Sequence, residues 1–164
     1  MLEIMTELPA RLGSRPRTTT QTPHRQVSQV ASPGLWGRTV SAIFSLPHVV
    51  EGHSAVAPAG SRAVFLDDMP VALARETSLA PLDQRLEPVH LHGVFDTSLH
   101  LCLPAARARK ICALGWGEPH HYSDHENDIM VYGPRDREEL SVILTIVQES
   151  IAFARGAAST SRTS

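Results

Sequence analysis

The residues best able to do chemistry in this chain are its histidines. There are nine in 164 residues, and six of them fall between His90 and His125. An imidazole titrates near neutrality, with an ordinary pKa of about 6.5, so it can give or take a proton or ligate a metal. The spacing adds geometry to the count. Val89-His90-Leu91-His92 and Leu99-His100-Leu101-Cys102-Leu103 both alternate polar with apolar residues, as half-buried strands do. Successive side chains on a strand point to opposite faces, which puts His90 with His92 and His100 with Cys102. If the leucines of both strands face helices, all three histidines share the other face. An in-register hairpin then brings His90 to His100 with β-carbons about 5 Å apart, and a one-residue slip would separate them. A third element, Glu118-Pro119-His120-His121-Tyr122, places Glu118, His120 and Tyr122 on one face and His121 on the other. Asp124, His125 and Glu126 follow as a polar loop.

Three kinds of function fit such a cluster. The first is acid–base chemistry, which needs a base, an orienting partner and an apolar wall. His90, His92, Glu118 and His120 are the catalytic candidates, with His92 or His120 as proton carrier and Glu118 orienting it. His100, His121, Tyr122, Asp124 and Trp116 are the substrate-binding candidates. The second is a metal site, for which His90, His92 and His120 are the expected ligands. The spacing matches no His-Glu-x-x-His, Cys-x-x-Cys or cupin pattern. The third is structural: histidines on a half-exposed sheet face or at a partner interface. Phosphate-cradling glycine loops, a dinucleotide fingerprint and a Gly-x-Ser-x-Gly elbow are all missing from the sequence, so no cofactor is expected. Cys102 and Cys112 read as buried free thiols and Asp67-Asp68 as a solvated turn.

Composition bounds the setting. A hydrophobic fraction of 42% and a charged fraction of 20% are ordinary for one globular domain. A net charge of −2 and 5% aromatics argue against nucleic-acid binding. No apolar run reaches the 18–20 or so residues of a membrane span, and no secretory signal is present. A cytoplasmic location follows, with a small organic molecule as partner; a homodimer is the assembly the sequence allows. Fourteen arginines against a single lysine, Lys110, suggest a bacterial, GC-rich coding bias.

The elements that must position the histidines follow from periodicity and turn chemistry. Residues 1–32 are Thr-, Ser-, Arg- and Gln-rich and read as a flexible tail, as do residues 156–164. Between them, 33–155 forms the domain. Pro33 opens a helix carrying Leu35, Trp36, Val40, Ile43 and Phe44, which Pro47 ends. Two short strands follow around Pro58-Ala59-Gly60-Ser61, then an ambiguous stretch from 69 to 85. After the histidine hairpin, Pro104 starts a helix closed by Gly115. Trp116–Tyr122 and Asp128–Tyr132 are strands, with Pro119 assigning the first to an edge. Asp136 and Glu139 cap a last helix whose stripe is Leu140, Ile143, Leu144, Val147 and Ile151. The expected fold is α+β: a two-layer sandwich of a mostly antiparallel sheet with helices packed on one face.

The order of these motifs is also familiar. Glu87 to Pro104, with His90-Leu91-His92-Gly93 and Asp96, and Ala113-Leu114-Gly115-Trp116-Gly117-Glu118-Pro119-His120-His121 together resemble the luciferase-domain family. These are small bacterial and fungal proteins of largely unassigned chemistry. The resemblance spans roughly residues 45–153 and is specific over 87–121. It implies that His90, His92, Glu118, His120 and His121 are positions of interest. The family often continues with Pro-x-Ser-Gly-Trp, where this chain has Asp124-His125-Glu126-Asn127-Asp128; a changed substrate or activity is implied. The combined reading is a small-molecule enzyme with a histidine-lined pocket, a cofactor-independent cyclase or isomerase tailoring a secondary metabolite. A histidine-ligated metal enzyme and a non-catalytic binding protein are the alternatives.

Overall fold

The computed structural model describes residues 6–121 and 123–156. Three helices and six strands follow in the order α1 (Pro33–Phe44), β1 (Val49–His53), β2 (Arg62–Leu66), β3 (Val89–Leu91), β4 (Leu99–Cys102), α2 (Ala105–Ala113), β5 (Gly117–Pro119), β6 (Asp128–Val131) and α3 (Arg137–Ala154). A short 3-10 turn, Arg75–Thr77, lies in the stretch that sequence leaves ambiguous. The strands form one sheet in the order β1-β2-β3-β4-β6-β5, and every neighbouring pair is antiparallel. The α+β architecture expected from sequence is the one observed.

Register decides what each face of the sheet carries. His90 lies opposite His100, with Val89 opposite Leu101 and Leu91 opposite Leu99. Across the next pair His100 meets Met130, Cys102 meets Asp128, and Leu101 meets Ile129. One face is therefore built from Val64, Val89, Leu91, Leu99, Leu101, Ile129 and Val131, all buried in the main core with Trp36, Ile111, Ile143 and Val147 from the helices. The opposite face carries His90, His100, Cys102, Asp128 and Met130.

Local signals explain most of the boundaries. Asp136 caps α3, its side chain accepting from the Glu139 amide at 2.8 Å, and the Glu139 carboxylate accepts from the Arg135 amide at 3.2 Å. The buried stripe of α3 is wider than periodicity suggests: Ile143 and Val147 are joined by Ile146, Ser150 and Ala154. Gly115 ends α2 with a φ of +90°, a conformation that costs glycine least. At Gly117 a β-carbon would collide with the Met130 carbonyl on β6, so the edge strand closes only without a side chain there. No helix among the described residues is long and apolar enough to cross a membrane.

Composition predicts a flexible tail over residues 1–32, but residues 6–32 are laid against the domain. Leu8 and Ala31 are buried in the core. The Trp116 indole donates to the Pro9 carbonyl at 2.7 Å, and Arg15 donates to the Gly117 carbonyl at 2.7 Å. The Gln26 amide donates to Asp96 at 3.0 Å, its side-chain oxygen accepts from the Gly133 amide at 2.9 Å, and the Ala31 amide donates to the Thr97 hydroxyl at 2.9 Å. This segment has no apolar stripe to reveal it. It is held by side-chain-to-backbone bonds to residues about 65–110 positions away, which no local pattern announces. The C-terminal stretch expected as a second tail lies, from 157 onward, outside the described residues.

Candidate functional site

A cavity of about 320 Å³ opens on the histidine face and is lined by His24, His90, His92, His100, His120 and Asp128, with Arg75, Leu79, Val56 and Asp124 among the surrounding residues. That volume sits at the small end of ordinary ligand pockets. His90 and His100 come from the centre of the sheet, where pleating turns both away from the leucines. His92 follows β3, its amide still bonded to the Ser98 carbonyl at 2.9 Å. His120 follows β5, its amide bonded to the Asp128 carbonyl at 3.2 Å, which sets those two residues opposite one another. His24 arrives from the N-terminal segment.

The rings pack closely. Centroids lie 5.4 Å apart for His90 and His92, 5.1 Å for His90 and His100, 4.7 Å for His92 and His100, and 4.3 Å for His100 and His120. His24 stands 5.4 Å from both His100 and His120. Two deep rings are tethered from behind by carboxylates. His90 Nδ1 is 2.9 Å from Glu87, and His92 Nδ1 is 2.6 Å from Asp96 and 3.1 Å from the Ser98 hydroxyl. With Nδ1–H donated to those carboxylates, each Nε2 is left as an acceptor. The Nε2 atoms of His90, His92 and His100 are buried and have no hydrogen-bond partner.

Burial controls the protonation of the cluster, because a low-dielectric site penalises an imidazolium. Burial lowers His90, against the pull of Glu87, and lowers His100 well below the usual value with help from the surrounding imidazoles. His120, half-buried, is lowered to about 4 by burial and then by His24 and His90. These rings are neutral at pH 7. Asp128 is the opposite case: burial raises its carboxyl to about 7, although Ser123 and Arg75 pull it down. One of its oxygens, Oδ1, is buried without a partner.

Several expectations need correction. Glu118, expected to orient His120, engages three other groups. Its carboxylate accepts from Thr18 at 2.9 Å, from the Tyr132 hydroxyl at 2.9 Å, and pairs with His24 Nε2 at 3.0 Å, so it anchors the N-terminal segment. Burial pushes that carboxyl up, but the bonds from His24, Thr18 and Tyr132 outweigh it and hold it below its ordinary value. Trp116 is not in the pocket: it is buried in the core on the helix side. His121 is exposed, 3.5 Å from Glu118 and with its ring centroid 4.8 Å from that of His24, and does not line the cavity. Asp124 lies at the mouth, paired with Arg75 at 3.2 Å. Tyr122 lies outside the described residues. Cys102 is buried, and burial raises its thiol well above the ordinary value, so it is no nucleophile. The expected metal set of His90, His92 and His120 is also revised. His90, His92 and His100 bring ligand atoms within 4.8 Å of one another, and so do His24, His100 and His120.

Sequence reasoning missed His24, Glu87, Asp96 and Asp128. Asp96 had a visible signal, lying four residues after His92 in the hairpin loop. Glu87, three residues before His90, had the same kind of signal. His24 and Asp128 had none, since only the long-range fold brings them in.

Fold and site together define an α+β domain with an imidazole-lined pocket, and comparison with known proteins shows what that domain is similar to. Residues 85–150 match the family model described as the Luciferase domain, in agreement with the resemblance read from the motifs. Proteins named luciferase from Armillaria gallica and Armillaria ostoyae are each 27% identical over 90% of this chain, and one from Neonothopanus nambi is 25% identical over 91%. The chain spans 61% of the length of each of these relatives. All three are fungal, so the bacterial origin suggested by the arginine bias gains no support from them. No solved structure matches the chain.

Proposed function

We propose that this protein is a small-molecule enzyme that works by proton transfer, of cyclase or isomerase type, in a metabolite-tailoring role. Asp128 and His120 carry the proton. The observation that supports this most is Asp128: a carboxyl buried on the wall of the cavity, with one oxygen unpartnered and a pKa raised to about 7. A proton-transfer group works best when its pKa lies near the working pH. His120, opposite Asp128 and neutral, can donate or relay through its ring nitrogens. The buried imidazoles of His90, His92 and His100 form a wall that excludes water and offers polar anchors, while Asp124 at the mouth meets the substrate's polar edge. The likeness to fungal proteins named luciferases is consistent with a small organic substrate.

A suitable probe is a panel of enolisable carbonyl compounds incubated with the full chain in D2O. Proton abstraction next to a carbonyl washes in solvent deuterium, read by mass spectrometry. Asp128→Asn and His120→Ala are each expected to slow the exchange by about 10²–10⁴-fold, the usual worth of a positioned acid or base. Exchange at full rate in both variants, or none across the panel, refutes the assignment.

A further inference from the structure

The deepest part of the pocket holds an arrangement that proton transfer does not use. The geometry points to a binding site for one divalent transition-metal ion of the zinc class, held by Nε2 of His90, His92 and His100 with a fourth position open to the cavity. This goes beyond the proton-transfer reading and does not depend on it.

Four observations converge. The three rings are 3%, 4% and 3% exposed, all three line the same cavity, and each has a buried Nε2 with no hydrogen-bond partner. Their ligand atoms lie within 4.8 Å of one another. A Zn–N bond of about 2.0–2.1 Å puts each ring centre about 3.2 Å from the ion, so tetrahedral coordination spaces the centres by about 5.2 Å; the observed separations are 5.4, 5.1 and 4.7 Å. Finally, two of the three have a buried carboxylate on Nδ1. Glu87, itself held by the Ser54 hydroxyl at 2.6 Å, backs His90, and Asp96, accepting also from the amides of Gln26 and Ser98, backs His92. A carboxylate behind a ligating imidazole fixes its tautomer and raises its basicity.

Charge and hydrogen-bond satisfaction argue the same way. Buried imidazole nitrogens without partners are costly, and three on neighbouring rings around one cavity are not expected of a packing arrangement. Glu87 and Asp96 place two acidic side chains behind the rings of His90 and His92 in a buried site, groups of the kind that support imidazole ligands of a dication. An all-imidazole donor set suits zinc, iron, copper or nickel and is a poor match for magnesium or calcium. His24, His100 and His120 form a competing outer triad sharing His100, but His24 already has Nε2 engaged with Glu118 and has no carboxylate on Nδ1, which is itself unpartnered. The exposed group of His48, Asp67 and Asp68 is a solvated turn with Asp68 tied to Arg155 at 2.8 Å.

The test is a titration of chelator-stripped full-length protein with zinc, followed by calorimetry and by metal analysis after desalting, with cobalt(II) absorption reporting the coordination. One equivalent is expected, with a tetrahedral cobalt spectrum. His100→Ala and His90→Ala should each weaken zinc binding by at least about 100-fold, and Glu87→Gln by about 10–100-fold, the usual effect of losing an outer-shell partner. His48→Ala should bind as the parent does. The parent protein needs no variant to fold, so absence of saturable one-to-one binding by it overturns the proposal outright. Binding that survives His90→Ala but is lost in His24→Ala overturns it too, by moving the ion to the outer triad. Because the readout is metal and not turnover, failure here leaves the Asp128 assignment standing, and failure of the deuterium exchange leaves this site standing.

Discussion

Replacing Asp128 by asparagine should change how stability depends on pH, and the size of the change follows from the site. The carboxyl ionises at 3.8 in an unstructured chain and at about 7 in the fold, mainly because burial penalises its charge. Between those values the folded protein holds a proton that the unfolded chain has released. The folded state therefore binds more protons, and stability falls as pH rises across this window. The contribution is fully present below pH 3.8, and its loss is complete once pH passes the folded value near 7. Three pK units at about 1.36 kcal/mol each make the loss on the order of 4 kcal/mol. Asparagine keeps the shape and cannot ionise. Urea unfolding at pH 4 and pH 8, in chelator so that no cation neutralises the carboxylate, should give a difference between the two pH values smaller in Asp128→Asn by that amount. Other groups titrate equally in both proteins and cancel. Identical pH slopes would mean that Asp128 is ionised and solvated in the fold, and its role in proton transfer would go with it.

Two further changes probe how the pocket is held. Glu118→Ala removes the acceptor for Thr18, His24 and Tyr132, hydrogen bonds to a charged group that contribute roughly 1.5–3 kcal/mol each. It should release the N-terminal segment, speeding tryptic cleavage at the exposed Arg25 and amide exchange at Gln26; unchanged cleavage would show that Glu118 is not the anchor. Leu101→Ala, fully buried at the centre of the sheet on the helix side, should cost about 2–5 kcal/mol in urea unfolding while leaving zinc stoichiometry intact. A cost well under 1 kcal/mol, or loss of metal with the fold intact, would contradict the division of labour between the two faces.

Much of this protein was legible in its residues alone. Alternation in Val89–His92 and Leu99–Leu103 dictated both the hairpin and the segregation of histidines from leucines, because pleating is a local property of a strand. The caps and stripe of α3, the proline start of α1 and the glycine stop of α2 were readable for the same reason: each is settled within a few residues. What lay beyond the sequence was everything set by contacts between distant segments. His24 and Gln26 sit in a stretch with no periodicity, and only bonds to Glu118, Asp96 and Gly133 bring them to the pocket. Trp116 looked like a pocket aromatic and went to the core, since which face a residue takes next to a glycine-closed edge strand depends on its neighbour β6. The proton affinity of Asp128 has no sequence signature at all. It arises from desolvation, which is a property of the volume the folded chain encloses and of no stretch of residues within it.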